Sequence, residues 1–169
     1  TVYPKLQLAL SSKKDTICIP EIPEFNLVAQ NVKSHYWYAG KKGNIDFTKK
    51  LTNIYDPAIF PNKTSAPITY EVIYVGLTTE GFRDSTSAEV VVYPALKPSF
   101  VLDGLTKQLP NATFNISNTT PNANGWITTW DFGNGETSKK ANPGAYQYPT
   151  FGSYNVTLTI SNGFCSEST

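Results

Sequence analysis

The chain has 169 residues, with 14 Lys and Arg against 13 Asp and Glu, and so carries a formal charge of +1. That balance gives no general electrostatic grip on nucleic acid or on an anionic membrane surface. One His, two Cys and no Met leave little material for metal or nucleophilic chemistry.

Charged residues make up 16% and aromatics 13%. Thr, Tyr, Val and Phe suit a pleated, half-buried surface, so the expected class is all-β. In chain order, Thr1-Val2-Tyr3-Pro4 reads as the tail of a strand that belongs to a preceding unit. Asp15-Thr16-Ile17-Cys18 follows, and then the aromatic run Tyr36-Trp37-Tyr38-Ala39-Gly40, in which Trp37 is the expected core residue. His35 precedes it on the same expected strand. A long connection from Lys41 to Pro67 carries five Lys together with Tyr55 and Phe60. It is read as a solvated insertion packed by its own aromatics, with a contact surface as the alternative. Tyr70-x-Val72-x-Tyr74 alternates, and Glu89 to Tyr93 is a β-run closed by Pro94, which cannot donate to a ladder.

Leu96 to Leu102 opens a second unit. Short apolar runs such as Phe114-x-Ile116 are separated by turn signals at 121–125, Asn134-Gly135, Asn142-Pro143-Gly144 and Asn162-Gly163. Tyr154 to Ile160 alternates apolar and polar without a break, the period of a strand with one wet face. No segment keeps a helical period, and 11 Gly and 12 Pro interrupt the chain every few residues. Several short strands at regular spacing imply sandwiches.

The chain also repeats itself. Val2-Tyr3-Pro4-x-Leu6 recurs 90 residues on as Val92-Tyr93-Pro94-x-Leu96. Trp37, Tyr70-x-Val72 and Gly81-Phe82-Arg83-Asp84-Ser85 find counterparts in Trp130, Tyr154-x-Val156 and Gly163-Phe164-Cys165-Ser166-Glu167-Ser168. A period near 90 is one small sandwich. The expected organisation is a tail strand at 1–5, a diverged domain at 6–94, and a second domain at 95–169 cut before its last strand, a window from a longer array. Pro94 in the short connection suggests two sandwiches set end to end.

Reactive constellations are missing. There is no Gly-Lys-Ser/Thr phosphate loop and no His-Glu-x-x-His, and Asp46, Asp56, Asp84, Asp103 and Asp131, which could pair for sugar hydrolysis, are not ordered into a cleft by any pattern. The expectation is no catalytic residue, no metal and no cofactor. Cys18 and Cys165 fall one to each domain, so both are expected as free thiols; a bridge between them would have to span both domains. Five Asn-x-Ser/Thr sequons, at Asn62, Asn111, Asn115, Asn118 and Asn155, are read as chance products of a Thr-rich chain. No apolar run is long enough to cross a membrane as a helix. The Thr-, Asn- and Ser-rich composition points to a secreted, cell-surface protein.

Residues 128–164 resemble a PKD domain, an Ig-like sandwich. The resemblance rests on Trp130-Asp131-Phe132-Gly133-Asn134-Gly135 and on Tyr154-x-Val156-x-Leu158 behind Gly152. Asn134 stands where the family carries a second Asp, which weakens any thought of a metal there. The resemblance assigns structural roles to Trp130, Asp131, Phe132, Gly133, Gly135 and Tyr154, and to Trp37 in the first copy. The style of the array is similar to the surface adhesins of Bacteroidota, including the giant gliding-motility adhesins. That similarity implies export by type IX secretion and glycan acceptors at Thr16 and, more weakly, Ser85. It also implies neighbouring repeats as partners, with a surface polysaccharide or another surface protein as ligand. Two alternatives accompany this reading. One is an accessory carbohydrate-binding module of a secreted hydrolase, with Trp126, Tyr146 and Tyr148 as exposed contacts. The other is a structural subunit of the secretion or motility apparatus.

Overall fold

The computed structural model describes residues 3, 5–121 and 125–169; the turn expected at 121–125 and the tail at 1–5 lie partly outside these. The chain divides into two compact units, Thr1–Ala95 and Leu96–Thr169. Both are all-β, and among the described residues the only helical element is a 3-10 turn at Pro57–Ile59, capped by the Asp56 carboxylate.

In the first unit, β1 (Gln7–Ser12) pairs antiparallel with β3 (Phe25–Gln30) to form one small sheet. The other sheet runs in the order β2 (Thr16–Cys18), β6 (Arg83–Tyr93), β5 (Ile68–Leu77), β4 (Ser34–Lys41). The chain therefore changes sheets between β1 and β2, and β2 lies parallel to β6 with Thr16 opposite Val91. Alternation on β5 turns Tyr70, Val72 and Tyr74 inward, where they meet Trp37, Val90, Val92, Ile17 and Phe25. The rings of Trp37 and Tyr74 meet edge to face, with centroids 4.7 Å apart.

The long insertion, expected to be solvated and packed by its own aromatics, instead contributes to this core. Ile54 and Phe60 are fully buried, and Phe60 packs edge-on against Tyr70. Asn62 fastens the insertion to the sheet: its Nδ2 donates to the carbonyls of Val92 (2.7 Å) and Ala66 (2.8 Å). Its Oδ1 accepts from the amide and hydroxyl of Thr64. The sequon at Asn62 is thus a buried fastening whose amide is already used.

In the second unit, β7 (Phe100–Leu102), β8 (Thr113–Asn118) and β11 (Gly144–Gln147) form one sheet. β10 (Thr137–Ser138), β9 (Ile127–Asp131), β12 (Thr157–Ser161) and β13 (Ser166–Ser168) form the other. Trp130 on β9 is completely buried among Ile116, Leu158 and Ile160, all within 1% of full burial. Its ring meets Phe100 edge to face at 5.4 Å, and its Nε1–H donates to the Lys140 carbonyl at 3.0 Å. This is how an indole is buried at no polar cost: the ring is in the core and its one donor is satisfied. The uninterrupted alternation from Tyr154 implied a longer strand than β12, which begins only at Thr157. Alternation reports which face a residue uses; a strand also needs a ladder partner, and β9 ends opposite Thr157.

Candidate functional site

The motif Trp130 to Gly135 closes the end of β9 as a turn held by its own side chains. Asp131 Oδ1 accepts from the Gly133 amide (2.8 Å), Asn134 Oδ1 from the Glu136 amide (3.1 Å), and the Phe132 amide donates to the Glu136 carbonyl. Gly133 and Gly135 take φ of +77° and +91°, the left-handed region that a side chain disfavours. Gly133 has a second reason to be glycine. A Cβ there would lie 2.6 Å from the Asn155 carbonyl oxygen, whereas one on Gly135 would meet nothing within 4 Å.

Beside the turn stands a ladder of aromatic rings. Phe132 stacks on Tyr146 at 3.8 Å, Tyr146 meets Tyr148 edge-on at 4.9 Å, and Tyr148 stacks on Tyr154 at 4.2 Å. The Tyr148 hydroxyl donates to the Phe132 carbonyl at 2.7 Å. Burial, and after it the neighbouring Tyr146 and Tyr154, pushes that hydroxyl up to about 12. The Tyr146 hydroxyl accepts from Asn134 Nδ2 (2.7 Å) and donates to Glu136 Oε2 (3.0 Å). Asn134 therefore uses its oxygen on the turn and its nitrogen on the ladder. An Asp could not supply the second bond. The Asn134–Tyr146–Glu136 chain is the part of this site that sequence reasoning missed.

The expected ligand contacts fare unequally. Tyr148 is 4% exposed and belongs to the core, so its assignment as an exposed contact is corrected. Tyr146 and Tyr148 are two apart, and both turn toward the core side of β11 while Ala145 and Gln147 turn out. Tyr146 and Trp126 are half-buried, and Trp126 sits just before β9 begins. Thr16, expected as a glycan acceptor, is half-buried as the first residue of β2, paired to β6. Ser85 is exposed on β6. His35 lies exposed, stacked on Tyr74.

The cysteines require the plainest correction. Neither is free: Cys18 and Cys165 are both disulfide-bonded, and Cys165 is buried. The expectation of free thiols had rested on one Cys falling to each expected domain. Among the described residues no three His, Cys, Asp or Glu side chains come together as a metal would require.

A groove of about 550 Å³ opens in the second unit between the 105–109 segment and the 150–156 segment, floored by Phe114, Ile116 and Tyr148. Leu105 and Phe151 stand on its two sides, each more than 90% exposed. Lys107 crosses it, its ammonium held by Asp103 at 3.1 Å and lying 5.8 Å from the Phe114 ring centre. That hydrogen bond, with those from Asn115, holds the Asp103 carboxyl below its usual range.

Residues 99–168 match the family model of the PKD domain. No curated protein sequence matches the chain. Among solved structures, the crystal structure of murine CEACAM1b is 11% identical, with a TM-score of 0.42 over 96% of both chains. Protocadherin gamma B7 extracellular cadherin domains 1–4 are also 11% identical, with a TM-score of 0.25 over 96% of this chain and 48% of that one. At these scores neither likeness bears on the site. No helix among the described residues is long and apolar enough to cross a membrane. The chain is an all-β protein of Ig-like sandwich construction whose second unit, over residues 99–168, is a match to the PKD domain family.

Proposed function

We propose that the chain is a non-catalytic repeat segment of a long secreted cell-surface adhesin, acting as a spacer or as an adhesive module in attachment or gliding. The reading is carried by one observation: a PKD-type sandwich follows a second sandwich in which the chain repeats its own motifs. The use of the motif residues supports it. Trp130, Phe132 and Tyr148 fill the core, Asp131 ties the turn, and Asn134 and Glu136 hold Tyr146. Side chains engaged in this way hold a shape. Its partners are then neighbouring repeats and a surface polysaccharide or another surface protein. The accessory carbohydrate-binding alternative loses Tyr148 to the core and has the Tyr146 hydroxyl already bonded.

The test is to coat beads with the chain, measure their retention under flow on polysaccharide films and on whole cells, and assay the same protein against glycan and peptide substrates. The reading expects no turnover, with retention marking an adhesive module and its absence a spacer. Turnover at any enzymatic rate would overturn it.

A further inference from the structure

We propose that the outer face of the first unit's larger sheet, with the insertion that borders it, binds an acidic polysaccharide. Sugar rings lie on Tyr38 and Phe47, and their carboxylate or sulfate groups pair with Lys50 and Arg83. The inference rests on the adhesive form of the function proposed above and adds the ligand and the place.

The sheet register lays this face out. Tyr36 stands opposite Val75 and Val75 opposite Ser85; Tyr38 stands opposite Ile73 and Ile73 opposite Ser87. Residues directly across a ladder share a face. These two rows flank the row of Trp37 and Tyr74, which belongs to the core, so they face away from it. The outward face of an antiparallel sheet is ordinarily polar. Here it carries two tyrosines, an isoleucine and a buried valine.

The insertion extends the aromatic strip. Phe47 meets Tyr38 edge-on at 5.2 Å and is 60% exposed, and Tyr38 meets Tyr36 edge-on at 5.4 Å. Lys50 holds its ammonium 4.4 Å from the centre of the Tyr36 ring. Leu51, next in the chain, exchanges two backbone hydrogen bonds of 2.9 Å with Trp37, which ties this stretch to the edge of β4.

Charge selects the ligand. Arg83 lies two residues from Ser85 on the same face of β6, and its charge reaches Tyr38: burial and Tyr36 raise that hydroxyl, and Arg83 pulls it back. Neither Lys50 nor Arg83 has a carboxylate partner among the described residues, whereas Lys13, Lys14, Lys42, Lys49 and Lys107 each have one. The acidic end of the face lies beyond Tyr38, where Glu71 stands opposite Glu89 and Lys42 holds Glu89 at 2.8 Å. Two unneutralised cations thus sit at one end of an aromatic strip. The faces of the rings carry the negative side of their quadrupole, which the C–H bonds of a pyranose meet with positive charge. The exposed Ser85 and Ser87 set hydroxyls beside the rings for those of the sugar. A carboxylate or sulfate on the same sugar gives Lys50 and Arg83 the charge-assisted bonds they lack, and a neutral sugar does not.

The experiment measures binding of the full chain to alginate, a uronate polymer, to dextran sulfate and to neutral dextran. The variants are Phe47→Ala, Lys50→Glu and, on the second unit, Lys139→Glu. All three side chains are exposed, and an unchanged thermal unfolding profile certifies the fold. The proposal expects binding to an acidic polymer and none to dextran, weakened about tenfold or more by Phe47→Ala and by Lys50→Glu and left unchanged by Lys139→Glu. Binding to alginate alone identifies the carboxylate as the partner of the cations, and binding to dextran sulfate alone the sulfate. Equal weakening by Lys139→Glu would reduce the effect to general charge attraction and overturn the proposal, as would indifference to Phe47→Ala. Beads retained on cells by a chain that binds neither acidic polymer would also overturn it while leaving the adhesive reading standing. Loss of that retention with Phe47→Ala would then give the face to a protein partner.

Discussion

Two glycines in one turn give a test that separates backbone conformation from packing. Gly133 and Gly135 both have φ near +80° to +90°, at +77° and +91°. Alanine at either position meets the same left-handed penalty, about 1–2 kcal/mol. Only at Gly133 does a Cβ also run into backbone, with the Asn155 oxygen and nitrogen at 2.6 and 2.7 Å. A main-chain neighbour cannot swing aside as a flexible side chain can, so the turn or the 154–156 segment must move. Overpacking of this kind costs about 1–3 kcal/mol more. Gly133→Ala should therefore destabilise the second unit by about 2–5 kcal/mol and Gly135→Ala by about 1–2 kcal/mol. The difference is measurable by urea titration with pulsed hydrogen exchange, which scores peptides from 96–169 separately from those of 1–95. Equal midpoints for the two variants would refute the close approach of Gly133 to Asn155.

Four further outcomes follow from the packing and the titrations. Asn62→Ala should destabilise the first unit by about 1–3 kcal/mol, because the Val92 carbonyl loses its buried donor; urea midpoints for 1–95 check it. Tyr146→Phe keeps the stack on Phe132 but deletes both hydroxyl bonds, and should cost about 1 kcal/mol in the same assay. Tyr148 is raised to about 12 in the fold against about 10 unfolded, so its contribution to stability is whole below pH 10 and is lost as the pH climbs through 12. Ultraviolet titration should accordingly show a tyrosine that ionises late. With both cysteines bonded, intact-mass labelling should show no alkylation of the folded chain before reduction and two additions after it.

How much of this was legible follows from the range of each interaction. Trp130, Phe132 and the alternation through Leu158 and Ile160 are local signals, and the residues they single out are buried in the core of the second unit. That Tyr148 shares a face with Tyr146 was readable from their spacing of two. The ambiguity lay in which face was wet, because Gly144 and Ala145 give β11 no apolar bias. Thr16 is a different case. Its half-burial comes from pairing with Val91, seventy-five positions away, and nothing near Thr16 encodes that partner. The same holds for the cysteines, and for Asn62, whose partner on Val92 turns an apparent glycan acceptor into a fastening. Asn134 was noticed as a departure from the family pattern. Its use became visible only once β11 brought Tyr146 beside the turn.

The central claim is that the second unit is a sandwich built around Trp130, with the 130–135 motif spent on holding it. Native-state hydrogen exchange of the full chain carrying Trp130→Ala tests this most directly. The residue is fully buried and its Nε1–H bond to the Lys140 carbonyl is lost with it, a cost of about 3–5 kcal/mol. A unit of this size holds roughly 4–11 kcal/mol in all. The account predicts that protection collapses across β8, β9 and β12 while the strands around Trp37 keep theirs. Protection in β9 and β12 that survives the substitution would contradict it.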